Sequence, residues 1–211
     1  MSNKVKLKTK PLDAKGQARL MGRLKADPAM ILREHTINGV EAIERNTSEL
    51  MASGVTKDDP LLLPETYVEI RRDSVYREKA VFVDAGGDFI TKQTAEDHLA
   101  ALGQSGNAAS SHKGQGLDAN IGVGAKIATF ALFKTIVYRS KEAGVVGGKK
   151  YTLTYKNDEL DTVMEDCPQK EFCMLREKDS GTEVVLWGDN EKHDTWDDLN
   201  RIYISTRSKA V

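Results

Sequence analysis

Glu34, Asn38 and Glu41 follow one another at intervals of four and three residues in the stretch Leu32-Arg33-Glu34-His35-Thr36-Ile37-Asn38-Gly39-Val40-Glu41-Ala42-Ile43. On a helix these intervals place the three side chains on one face, one turn apart. A carboxylate and a carboxamide so spaced suit metal-assisted hydrolysis. The carboxylate takes a proton from water, and the carboxamide offers a neutral oxygen to a cation. Leu32, Thr36, Gly39, Val40 and Ile43 fall on another face, the expected core side. A solvated polar face opposite a core face is the other reading of the same helix.

Three further segments carry residue types with chemical use. Asp84-Ala85-Gly86-Gly87-Asp88 follows the apolar run Val81-Phe82-Val83. An ionised carboxylate only accepts hydrogen bonds, so Asp84 can receive an exocyclic amine such as that of adenine. Glycines let a planar ring approach the backbone. An ordinary turn after a strand is the alternative. Asn120-Ile121-Gly122-Val123-Gly124-Ala125-Lys126 puts glycines ahead of a helix, where unpaired N–H groups and the helix dipole favour phosphate. The spacing of a Walker A loop is absent, and no βαβ unit surrounds the glycines, which argues against a dinucleotide fold. Gly181-Thr182-Glu183-Val184 is a turn entering a strand, with a hydroxyl that can donate or accept.

The elements that must position these residues follow from pattern. Lys4 to Lys10 alternates in the strand period and is rich in lysine, as expected of a protected edge strand. Ala14 to Lys25 predicts a short helix. Asp27-Pro28 predicts the start of the helix that carries Glu34 and runs to about Arg45. Tyr67 to Asp73 and Lys79 to Val83 predict an antiparallel pair, the second strand central and covered on both faces. Thr94 to Leu102 reads as a helix, and Gly103 to Gly116 as a long small-residue loop of the kind that forms lids. A helix is expected from about Ala125 to Leu132. Strands are expected at Lys134 to Arg139, Tyr151 to Lys156, Phe172 to Glu177 and Thr182 to Trp187, an exposed acidic loop over Asp158 to Asp166, and a final helix from Asp194 to Ile204. Helices beside mostly antiparallel strands predict an α+β two-layer sandwich with a mixed, mostly antiparallel sheet.

The 211 residues suffice for one domain, expected to span 1–211. With 31 basic and 32 acidic side chains the net charge is -1, which supplies no global argument for nucleic acid, membrane or a highly acidic partner. Two cysteines, Cys167 and Cys173, make neither a disulfide framework nor a zinc set. Free thiols, no membrane-length apolar run and no leader pattern give a cytoplasmic expectation.

Taken in order, Glu34-x-x-x-Asn38-x-x-Glu41-Ala42, Asp84-x-Gly86, the small-residue loop, Gly122-Val123-Gly124 and Gly181-Thr182 resemble the GHKL ATPases. This superfamily comprises gyrase-type subunits, heat-shock chaperones, histidine kinases and mismatch-repair ATPases. The resemblance covers about residues 12 to 188, and Leu20 to Pro28 looks most like microrchidia-type and prokaryotic stand-alone members. It implies a Bergerat-type ATP-binding fold with an ATP lid at about 103–121. It implies that Glu34 is the general base, Asn38 the magnesium (Mg2+) ligand, Asp84 the partner of the adenine amine and Gly86 part of the base pocket. Ile121, Gly122, Val123, Gly124, Ala125 and Lys126 would serve the phosphates, Thr182 would stand beside Asp84, and Glu41 would complete the helix motif. Glu41 replaces the commoner aspartate, and Asp88 stands where a second glycine is frequent. Family members acting on DNA or on client proteins contact the terminal phosphate from a following domain, so slow hydrolysis is expected of this chain alone. ATP and ADP are the implied ligands, a homodimer on ATP binding and a DNA or protein client the implied partners. The alternatives are the catalytic domain of a histidine protein kinase, with His35 supporting its neighbours rather than accepting phosphate, and a non-catalytic interaction domain.

Overall fold

The computed structural model describes residues 4–7, 28–56, 67–72, 79–100, 124–130, 133–156, 159–177 and 179–188. The predicted helices over 14–25 and 194–204, the lid at about 103–121, and Gly122 and Val123 lie outside them. Seven strands are described: β1 Val5–Lys6, β2 Tyr67–Arg72, β3 Lys79–Ala85, β4 Phe133–Lys141, β5 Gly148–Lys156, β6 Glu159–Cys167 and β7 Gly181–Gly188. They form one sheet in the order β1-β6-β5-β4-β7-β3-β2, with every described pairing antiparallel. The helices are α1 Pro28–Ala52, α2 Lys92–Thr94, which continues as a π-turn over Ala95–Leu99, and α3 Gly124–Phe130. The architecture is mixed α+β. Among the described residues no helix is long and apolar enough to cross a membrane.

Period-two alternation divides the sheet. Ile136 and Tyr138 of β4, Val184 and Leu186 of β7, and Tyr151 and Leu153 of β5 pack with Ile31 of α1 and Ala95 of the π-turn. The intervening Val137 and Val185 pack on the other side with Leu175, Phe172 and Met174, which follow β6. α1 lies against β3 and touches β2, β7 and α3, and α3 also meets β4.

Three expectations change. The buried stripe of α1 is Ile31, His35, Gly39 and Ala42, whereas Val40, expected in the core, is 43% exposed. A histidine takes the inner position because Thr129 of α3 shares a 2.8 Å hydrogen bond with its Nε2, which removes the cost of burying the ring nitrogen. The acidic segment expected as a loop is β6. Leu160 and Thr162 point inward, and its carboxylates meet lysines of the neighbouring strands: Asp161–Lys6 at 3.0 Å, Glu165–Lys150 at 2.9 Å and Asp166–Lys149 at 2.6 Å. Opposite charges across strands turn a run of acids into a stable strand.

The segment Phe172 to Glu177, expected as a strand, is a strap that follows a 3-10 turn at Gln169–Glu171. It needs no neighbouring strand. The Glu183 carboxylate accepts the backbone N–H groups of Cys173, Met174 and Leu175 at 2.9, 2.5 and 2.8 Å. Lys141 secures the next stretch through the carbonyls of Arg176 and Glu177 at 2.7 and 2.6 Å. Burial holds the Lys141 ammonium below its ordinary pKa, against the pull of Asp179, Glu177 and Glu183. The hairpin between β4 and β5 depends on a close approach. A Cβ on Gly148 would stand 2.2 Å from the Ser140 carbonyl oxygen, closer than any side chain can sit.

Candidate functional site

The register of the sheet brings three polar residues to one rung. Asp84 of β3 pairs with Thr182 of β7, and Thr182 pairs with Ser140 of β4. Ser140 Oγ lies 2.9 Å from Thr182 Oγ1 and 3.2 Å from the Gly181 carbonyl, to which it donates. It also accepts the Ile90 N–H at 2.9 Å, and the Tyr151 hydroxyl donates to the Ile90 carbonyl at 2.7 Å. The backbone just past the Asp84 turn is therefore fastened to β4 and β5.

The turn itself is fastened to α1. Gly86 adopts φ 91°, a conformation that a Cβ disfavours. Its N–H donates to the Ser180 carbonyl at 2.9 Å, and its own carbonyl accepts Asn46 Nδ2 at 2.9 Å. Asp88, the departure from the glycine pattern, receives both Arg45 Nε at 3.0 Å and Nη2 at 3.3 Å. A two-pronged guanidinium–carboxylate pair of this kind fixes orientation as well as distance. α1 continues to Ala52 rather than stopping near Arg45, and Arg45 and Asn46 are the residues that bind the turn.

Farther toward its amino end, α1 presents Glu34 half-buried, its side chain 23% exposed and paired with Arg33 Nη1 at 2.8 Å. Asn38 is exposed and Glu41 half-buried. Gly124 opens α3, Ala125 is half-buried, and Lys126 is buried with its ammonium donating to the His98 carbonyl. Burial pushes the Lys126 ammonium down to about 7. Because α1 touches β3, β7 and α3, the helix that carries Glu34 joins the Asp84–Thr182 rung to the helix opened by Gly124. Ile121, Gly122 and Val123 lie outside the described residues.

Among the described residues no group of three or more His, Cys, Asp or Glu side chains could hold a metal ion. One exposed carboxamide beside one carboxylate is too poor a donor set for a resident cation. It fits a magnesium ion that arrives with most of its oxygen ligands supplied by substrate phosphates and water.

Ser140, Arg45, Asn46 and Tyr151 were not legible as site residues. Asn46 had a signal, since it lies two helical turns beyond Asn38 on the same side of α1. Ser140 had a weaker one, as the small hydroxyl that interrupts the inward apolar positions of β4 after Ile136 and Tyr138.

The burial of His35 makes stability depend on pH. Burial pushes the His35 imidazole down from 6.5 to about 4. The folded state therefore holds the ring neutral where the unfolded chain would bind a proton. This contribution is whole above pH 6.5 and is lost as pH falls toward 4, amounting to about 3 kcal/mol at 1.36 kcal/mol per unit. Urea unfolding of wild type and His35→Gln between pH 7 and pH 4 should show the wild type losing about that much more stability. Parallel curves would show that His35 is not the titrating group.

No family model matches the chain, and a search of curated proteins finds no relative.

Proposed function

We propose that the chain binds magnesium–ATP in a Bergerat-type two-layer fold, hydrolyses it slowly, and couples nucleotide binding to closure of the segment at about 103–121 or to dimerisation. The observation that carries this reading is the Asp84–Thr182 rung, with its following turn bonded to the helix that bears Glu34 and Asn38. A base-recognising end and a hydrolytic end are thereby held on one rigid element. Asn38 lies about 12 Å along the axis from Asn46, a separation that a nucleoside triphosphate can span.

In this reading the purine sits over Gly86, with its amine toward Asp84 and Thr182. Glu34 accepts a proton from the attacking water, and Asn38 gives its carbonyl oxygen to the ion. Magnesium, when bound, neutralises phosphate charge. The chain's own work is positioning and proton acceptance, which is most of what phosphoryl transfer needs. Lys126 has its ammonium on a backbone carbonyl, and triphosphate charge would favour its protonated form. His35 is 3% exposed and bonded to Thr129, which disfavours a phosphoacceptor role for it.

Titration calorimetry with a non-hydrolysable ATP analogue and magnesium tests the reading. Saturable binding of one nucleotide per chain is expected, with Asp84→Ala weakening it by roughly 100-fold, as befits a lost charge-assisted hydrogen bond. No heat of binding at millimolar analogue would overturn it.

A further inference from the structure

We infer that Arg45 is a positioning residue for nucleotide binding: through Asp88 it holds the turn that follows Asp84 in the shape that receives the base. The inference rests on the nucleotide reading above and adds a determinant of affinity to it.

Glu34, Asn38, Glu41 and Arg45 follow one another at intervals of four, three and four residues within the single helix α1. Those intervals keep all four on one stripe of a helix. The stripe that bears Glu34 and Asn38 therefore continues to Arg45, about 10 Å farther along the axis than Asn38. There the guanidinium meets Asp88, four residues past Asp84, with Nε 3.0 Å from Oδ2 and Nη2 3.3 Å from Oδ1.

Gly86 and Gly87 stand in series after β3, and residues 87–90 belong to neither helix nor strand. Glycines widen the choice of backbone conformations, and a turn that its ligand has to order lowers affinity by the entropy of that ordering. The fold orders this turn in advance at every second residue. Gly86 is bonded to Asn46 and Ser180, Asp88 to Arg45, and Ile90 to Ser140, with Tyr151 on the Ile90 carbonyl. The bonds at Gly86 and Ile90 engage main-chain groups and do not depend on the side chain there. The bond at Asp88 engages the side chain itself, so a glycine at the same position would remove the middle anchor. The two partners are 36% and 37% exposed, and an ion pair that water reaches adds little to the stability of the folded state. Its two-pronged geometry fixes direction and separation instead. Breaking it is therefore expected to show in the affinity for nucleotide, with the melting temperature and the chemistry at Glu34 nearly unchanged.

The test measures the affinity for the magnesium complex of the imido analogue of ATP by calorimetry, and kcat for phosphate release at saturating magnesium–ATP. Wild type, Asp88→Ala, Arg45→Met, the double variant and Arg45→Lys are compared, with thermal melts to confirm folding. Asp88→Ala and Arg45→Met should each weaken analogue binding about tenfold. In both, kcat should stay within about twofold of wild type. The double variant should bind no more weakly than either single one, because each substitution removes a partner that the other has already disabled. Arg45→Lys keeps the charge without the two-pronged geometry and should fall between wild type and Arg45→Met. A merely structural role would lower the melting temperature, kcat and affinity together, and that result overturns the inference. Unchanged affinity in the single variants overturns it as well. So do losses that multiply in the double variant, which would set Arg45 against the nucleotide instead of against Asp88. Should Arg45→Met or Asp88→Ala not fold, Asp88→Asn decides: it should weaken binding at least about threefold, and unchanged affinity again overturns the inference. If wild type does not bind the analogue, the nucleotide reading itself fails and takes the inference with it.

Discussion

Glu34→Gln should lower phosphate release from magnesium–ATP by at least about 100-fold while nucleotide affinity stays within a few-fold of wild type. The substitution preserves the shape of the side chain and removes only its capacity to take a proton from water. A general base contributes about 100- to 10,000-fold, and binding does not draw on it. The ion pair with Arg33 does not stand in the way. Arg33 is largely exposed, and an exposed pair of this kind contributes at most about 1 kcal/mol, so an incoming water can compete for the carboxylate. Steady-state phosphate release combined with analogue calorimetry makes the comparison. Parallel loss of binding and turnover would assign Glu34 to ligand positioning instead of proton transfer.

How far the chain could be read ahead of its structure depended on whether local pattern or distant partners decided each element. β2, β4 and β5 have apolar residues at the period of a strand, β3 and β7 carry short continuous apolar runs of the kind that both faces of a central strand require, and all five form where those patterns run. Pro28 marks the start of α1 for a local reason, its fixed φ at the first helical position. Elsewhere the deciding partner is remote. His35 is polar by type and enters the core only because Thr129, 94 residues away, meets its ring nitrogen. β6 carries too many acids to read as a strand until the lysines of β1 and β5 are seen opposite them. The residues around Phe172 have strand composition, yet a single carboxylate from β7 replaces the partner strand they would have required. The same division holds at the candidate site. Glu34, Asn38 and Glu41 are legible together because one helix spaces them. Asp84 and Thr182 meet only through the pairing of β3 with β7, and the contribution of Ser140 depends on a third strand.

Glu183→Ala should be the most destabilising single substitution among those considered, costing about 3–5 kcal/mol. Glu183 is fully buried on the side of β7 away from the helices, and its two oxygens accept three consecutive backbone N–H groups of the strap. It also faces Arg139 Nη1 at 3.6 Å, itself nearly buried and donating to Cys173 Sγ at 3.1 Å. Truncation removes the carboxylate that three N–H groups share and the counter-charge of a largely buried guanidinium. Glu183→Gln keeps one oxygen for the N–H groups and should cost less. Pairing Glu183→Ala with Arg139→Met should recover the part due to the stranded charge and not the part due to the stranded N–H groups. Denaturant unfolding measures these differences. A loss below about 1 kcal/mol in the alanine variant would mean that the strap is held by its apolar contacts with Val137 and Val185 instead of by the carboxylate. Alternation along β7 adds a second expectation. Glu183 and Thr182 project from opposite faces of the sheet. The folded fraction of Glu183→Gln should therefore bind the ATP analogue within about threefold of wild type. Stability and nucleotide recognition would then be served by neighbouring residues of one strand and be separable by substitution.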